Sequence, residues 1–165
     1  MKTLLLLRHA KSSWKDDKLP DHERPLNKRG RKTAPRMGRF LAEGGHLPEL
    51  IVTSPAVRAR ETVRLIVESS EFSGRQEIAE SLYPTTVEGC LDVLAGIDPA
   101  VGSAMLVGHC PGIEEFLEQL TGEYQSLPTC AAAVIRLPLD AWSDITRETT
   151  GELITVWRPR ELFSE

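Results

Sequence analysis

The sequence predicts an α/β protein: a three-layer α/β/α sandwich on a mostly parallel sheet with one antiparallel edge strand. Three observations carry this. Short apolar runs alternate with helix-period segments along the 165-residue chain, the pattern of strands joined by crossover helices. The first run, Leu4 to Leu7, is apolar at every position, as a strand buried on both faces requires. The last two runs, Ala131 to Leu137 and Glu152 to Trp157, are joined by a segment too short for a crossover helix. They therefore pair antiparallel at a sheet edge.

Taken in order, residues 2–7 form the first strand. The opening Met1-Lys2-Thr3 and its leucines have the look of a signal peptide. The run is too short, though, and it ends in Arg8-His9 with no small-residue cleavage site. Residues 10–26 form a polar loop containing Pro20 and Pro25. Asn27 is the N-cap of a helix reaching about Glu43 and ended by Gly44-Gly45. Pro35 lies inside it and is expected to bend it or delay its regular part. Leu50 to Thr53 is the second strand. Pro55 fits the first turn of the next helix, which carries Val57, Ala59, Val63, Leu65 and Ile66 and ends near Ser69. Glu77 to Ala79 is a short strand. Thr86 caps a helix with Leu91, Val93 and Leu94. Ala104 to Val107 is the fourth strand, running into Gly108-His109, and a helix follows from about Gly112 to Leu120.

No repeat, low-complexity tract or linker interrupts this order, and the length suits one domain over residues 1–165. The net charge of −4 and pI near 5.6 disfavour nucleic acid as a partner. A few arginines in one pocket can still bind a phosphorylated substrate. No apolar run approaches the ~20 residues of a membrane span. Cys90, Cys110 and Cys130 are odd in number and lack CxxC spacing. Neither a disulfide framework nor a metal site is expected, and free thiols fit a cytoplasmic protein.

Ligands of open α/β sheets sit beyond the carboxyl ends of the strands. Three segments meet there: Arg8-His9, Ser54 to Arg58, and His109. Phosphoryl transfer needs a nucleophile, cations around the equatorial oxygens and help for the leaving group. A neutral imidazole attacks phosphorus well, and arginine forks bind its oxygens in pairs. His9 is the candidate nucleophile. Arg8, Arg58 and Arg24 are candidate oxyanion ligands, and His109, if protonated, would stabilise charge on the transferring group. Arginines in these places remove the need for Mg²⁺, so no cofactor is expected. Each signal has an ordinary structural reading when taken alone. Arg60 is read as a solvated helix face, His22 and His46 as surface residues, and Trp14, Trp142 and Trp157 as partly buried packing. Trp14 is also a candidate for lining the pocket.

Leu7-Arg8-His9-Ala10 resembles the Arg-His-Gly signature of the histidine phosphatase superfamily. Ser54-Pro55-Ala56-Val57-Arg58-Ala59-Arg60-Glu61-Thr62 resembles its second motif, and Val107-Gly108-His109 its third. Ala10 stands where glycine is usual. The Arg-His-Ala-Lys-Ser-Ser-Trp stretch, Arg24-Pro25-Leu26 and the short chain are similar to the small phosphohistidine phosphatase branch. The resemblance implies a phosphoglycerate mutase-like fold, His9 as nucleophile, and Arg8, Arg58 and His109 as ligands of the phosphoryl group. Arg24, Lys11 and Ser12 are implied as further substrate contacts. The general acid is open: Glu80 falls in about the right region, with Asp16, Asp17 and Asp21 as alternatives.

These residues imply a metal-independent phosphatase that passes through a phosphohistidine intermediate. The favoured substrate is phosphohistidine on a protein partner, for example a histidine-containing phosphotransfer domain, because a phosphoramidate leaves readily once its imidazole is protonated. The stretch from Leu65 to Ala104 is too short for a lid, which implies an open site and disfavours a mutase. The alternatives are a small-molecule phosphomonoesterase with the same core and a non-catalytic module that binds phosphorylated partners. Neither nucleic acid nor membrane is expected as a partner.

Overall fold

The computed structural model describes residues 1–163. Six strands form one sheet: β1 (Lys2–Arg8), β2 (Leu50–Thr53), β3 (Arg75–Ile78), β4 (Ser103–Gly108), β5 (Ala132–Leu137) and β6 (Glu152–Trp157). Their order is β3-β2-β4-β1-β5-β6. β1 pairs parallel with β4 and antiparallel with β5, and β5 pairs antiparallel with β6. The antiparallel strand expected at an edge is thus β5, one place inward, because β6 adds outside it.

The leucines of β1 explain its central place. Successive side chains of a strand face opposite sides. Leu4 and Leu6 enter one core with Leu94, Phe116 and Leu117, whereas Leu5 and Leu7 enter the other with Met37, Val63 and Ile66. Helices α1 (Lys28–Glu43) and α2 (Val57–Ser70) cover one face; α3 (Val87–Ala95) and α4 (Gly112–Thr121) cover the other. Each buried leucine contributes about 1.5–3 kcal/mol, so a strand apolar on both faces belongs nowhere but between the layers.

Local signals set most helix starts. The Asn27 side chain accepts from Gly30 N–H, and the Thr86 side chain from Gly89 N–H. α1 begins directly after its cap and runs through Pro35 unbroken, so Pro35 does not delay it. Pro55, by contrast, lies before α2. Ser54 Oγ accepts from Ala56 N–H at 3.1 Å and holds Ala56 extended, so the helix begins at Val57. A short helix, α5 (Pro159–Leu162), follows β6 and has no counterpart in the sequence reading. Trp142 is fully buried, Trp157 half-buried, and Trp14 exposed.

Gly30 marks where α1 meets the loop after β1. A Cβ there would run into the carbonyl oxygen of Lys11, which also accepts from Asn27 N–H at 2.9 Å. Only glycine lets the helix approach that backbone. The three cysteines are free; burial pushes Cys90 and Cys130 up to about 12 and Cys110 up to about 11. No helix among the described residues is long and apolar enough to cross a membrane.

Candidate active site

The neighbours β2, β4 and β1 end side by side, with Thr53 opposite Val107 and Arg8 opposite Gly108. The residues that follow are therefore juxtaposed although they are far apart in sequence. The rings of His9 and His109 lie 5.0 Å apart between centroids. Backbone bonds fix the position of His9. His9 N–H donates to the Gly108 carbonyl at 3.2 Å, and Cys130 N–H donates to the carbonyls of Arg8 and His9 at 3.0 Å each.

His9 has a determined tautomer. Its Nδ1 lies 2.7 Å from the Ala10 carbonyl oxygen. A carbonyl only accepts, so Nδ1 carries the proton and Nε2 carries the lone pair. The Ala10 N–H donates to Thr62 Oγ1 at 2.9 Å, which keeps that carbonyl in place. Ala10 is fully buried in the α1–α2 core and is not among the positive-φ residues. No conformation reserved for glycine is needed there.

His109 Nε2 lies 2.7 Å from Ser54 Oγ, which also accepts from Ala56 N–H. With the serine proton donated to Nε2, the neutral ring carries its own proton on Nδ1. Among the described residues, Arg8 Nε and His109 Nδ1 are the buried side-chain nitrogens or oxygens without a hydrogen-bond partner. Arg8 Nε carries a proton, and His109 Nδ1 does so in that tautomer. Leaving such a donor unsatisfied costs about 1–3 kcal/mol.

Arg58 approaches from α2. Its Nε–H donates to His9 Nε2 at 3.4 Å, its Nη1 to the Asp21 carbonyl at 2.7 Å, and its Nη2 to Asp21 Oδ2 at 2.9 Å. Asp21 sits in a one-turn helix (Asp21–Glu23) of the loop after β1. It also accepts from Tyr83 OH at 2.6 Å and from Arg24 Nη1 at 2.8 Å. These bonds, Tyr83's first and then those of the two arginines, hold the Asp21 carboxyl well below the usual carboxylate range. Tyr83 is pushed up by the same contact and keeps its proton.

Burial, then the positive neighbours, shapes the histidines. His9 falls from 6.5 to about 3, chiefly by burial and then through His109, Arg58 and Arg8, although its bond to Ala10 opposes the shift. His109 falls to about 4, chiefly by burial and then through Arg58. Both are neutral near pH 7. The protonated His109 expected from the sequence is therefore disfavoured, because its charge would be buried beside two arginines.

The sign of the pH effect on stability follows. From about pH 6.5 down to about pH 4 for His109 and about pH 3 for His9, these side chains bind more protons in the unfolded chain than in the folded one. Stability is full above that window and falls as pH drops through it. Urea unfolding is expected to show a lower midpoint at about pH 4.5 than at about pH 7, and His9→Gln is expected to shrink the difference. Equal midpoints would contradict the low histidine pKa values.

The other sequence candidates are placed as follows. Arg24 is buried and engaged within the loop: Nε donates to the Ser13 carbonyl at 3.1 Å and Nη2 to Ser12 Oγ, while the guanidinium stacks 3.3 Å over the Trp14 ring. Ser12 is buried as the acceptor of Arg24. Lys11 is exposed and faces an adjoining cleft with Arg8. Glu80 is exposed in a one-turn helix (Glu80–Leu82) and makes none of the hydrogen bonds described above. Asp16 and Asp17 are exposed on the loop.

Three contributors were not singled out from the sequence. Tyr83 lies edge-on to His109, with ring centroids 5.3 Å apart. Thr85 Oγ1 accepts from His109 N–H at 2.9 Å. Ser54 stands in the sequence as the first residue of the second motif. Its position at a strand end before an N-cap is a local signal, but Tyr83 and Thr85 reach the site only through the fold. Among the described residues no group of three or more His, Cys, Asp or Glu side chains is placed to hold a metal ion.

Residues 4–83 match the family model of the histidine phosphatase superfamily (branch 1). An uncharacterized chloroplastic protein of Arabidopsis thaliana is 34% identical over 152 residues, covering 86% of this chain and 69% of that protein. Among solved structures, one assigned as the phosphohistidine phosphatase SixA of Agrobacterium tumefaciens superposes with a TM-score of 0.80 at 28% identity, covering 96% of this chain and 98% of that one. A second, given the same assignment in Nakamurella multipartitia, has a TM-score of 0.81 at 27% identity, with 96% of each chain covered.

Proposed function

The chain belongs to the histidine phosphatase superfamily, in its small SixA-like branch, and is a phosphatase; on that footing we propose that it hydrolyses phosphohistidine on a protein, through a phosphorylated His9 and without a metal ion. His9 Nε2 attacks phosphorus and forms a new N–P bond as the substrate's N–P bond breaks. The departing imidazole keeps the electron pair and takes up a proton from solvent. Water then attacks phosphorus, the bond to His9 Nε2 breaks, and inorganic phosphate leaves. Arg8 Nε, Arg58 and His109 Nδ1 donate to the equatorial oxygens and supply the positive charge and hydrogen bonds that a cation would otherwise provide. For Arg58 this means exchanging its long bond to His9 Nε2 for a phosphoryl oxygen.

The state of Asp21 carries the choice of substrate. It is the carboxylate nearest this machinery in the hydrogen-bond network, and Tyr83, Arg58 and Arg24 keep it ionised. An ionised, clamped carboxylate is no proton donor for an alkoxide leaving group. Glu80 is exposed and outside the network. A leaving imidazole needs no strong acid, whereas a sugar or serine alkoxide does. Asp21 thus supports a phosphoramidate over a monoester.

The test compares phosphate release from a phosphohistidine protein and from a panel of phosphate monoesters, both with EDTA present. We expect kcat/KM for phosphohistidine to exceed that for every monoester by at least about a hundredfold, the scale of one general-acid contribution. A monoester turned over as fast would contradict the substrate, and loss of turnover in EDTA would contradict metal independence.

A further inference from the structure

A cleft of about 550 Å³ adjoins the active site, between the start of α1, the turn before β5 and α5. Arg8 belongs to both: it follows the strand core beside His9, and it lines this cleft. The other charged residues of the lining are Lys11, Arg29, Arg158, Arg160 and Glu161. Among the described residues the lining thus holds five cations and one carboxylate, in a chain whose net charge is −4. Arg158 is fixed by bonds to the Ser126 carbonyl at 3.2 Å and to Gln125 Oε1 at 2.9 Å, and it lies 3.8 Å from Glu161. Lys11, Arg29 and Arg160 are exposed.

Small-molecule sites are enclosed and mostly apolar, with a few converging polar groups. This cleft has exposed cationic arms from three separate segments. That suits carboxylates projecting from another folded surface, which such arms meet without full desolvation. We infer that the cleft docks an acidic face of the phosphorylated protein, seating carboxylates that flank the phosphohistidine while the phosphoryl group reaches His9. This rests on the phosphohistidine reading above and adds to it which surface is selected.

The test uses the full chain and two phosphohistidine peptides, one with aspartates flanking the phosphohistidine and one with asparagines in their place. We expect wild type to show a kcat/KM about tenfold higher for the acidic peptide at low salt, carried by KM and shrinking as salt is raised. Arg160→Glu and, on a different element, Arg29→Glu should erase the preference and leave turnover of the asparagine peptide unchanged, whereas Arg160→Lys should keep it. Turnover of the asparagine peptide also verifies that the variants fold. Equal kcat/KM for both peptides in wild type, or a preference that survives both Glu variants, overturns the docking site but leaves the phosphohistidine reading standing. Turnover of neither peptide by wild type overturns both. Inhibition by inorganic pyrophosphate that Arg160→Glu relieves, without any peptide preference, overturns it in favour of a small-anion site.

Discussion

Replacing His9 by alanine is expected to lower kcat/KM for phosphohistidine by about four orders of magnitude or more, the scale seen when a covalent nucleophile is removed. The lone pair on His9 Nε2 is defined by the bond from Nδ1 to Ala10, and no other described nucleophile combines this position with a neutral state. The cysteines are pushed up to about 11 or 12 by burial and stay protonated. Ser54 Oγ is engaged by His109 Nε2 at 2.7 Å and by Ala56 N–H at 3.1 Å. Steady-state phosphate release by His9→Ala, beside its thermal unfolding, checks this. A folded variant keeping a tenth of the activity would contradict the role given to His9.

Replacing Arg58 by alanine is expected to cost about a hundred- to a thousandfold, mainly in kcat, as for removal of an oxyanion donor. Arg58 reaches His9 Nε2 with Nε while Asp21 holds both of its other nitrogens. That aims Nε–H at the point of attack and leaves little reorganisation for the transition state. Arg58→Lys should recover part of the loss, since lysine restores a charge but not the planar fork. A loss confined to KM would instead make Arg58 a ground-state binding residue. The contrast between kcat and KM in the two variants is the relevant measurement.

Much of the scaffold was legible because it rests on local chemistry. Four leucines in a row at β1 specify a strand between two layers. The side chains of Asn27 and Thr86 bond the third residue after them, and Leu50 to Thr53 stands out between polar segments. The three strand ends that gather His9, Arg58 and His109 followed from the alternation of strands and helices. What was not legible depends on contacts between distant residues. β6 lies outside β5 because of pairing that no local pattern specifies. The clamp on Asp21 joins positions 37 and 62 residues apart in sequence. It turned one acid candidate into a fixed anion, while Glu80, which falls in the expected region, faces solvent. Pro55 was misplaced by two residues because the Ser54 turn holds Ala56 extended before α2.

The nucleophile itself is the point to test most directly. Mixing the protein with a phosphohistidine protein, quenching in alkali, where N–P bonds survive, and locating the trapped phosphate by ³¹P NMR and peptide mapping would do so. Phosphate on Nε2 of His9 is the predicted result. Phosphate on any other residue, or on Nδ1, or steady turnover with no label on the enzyme, would contradict it.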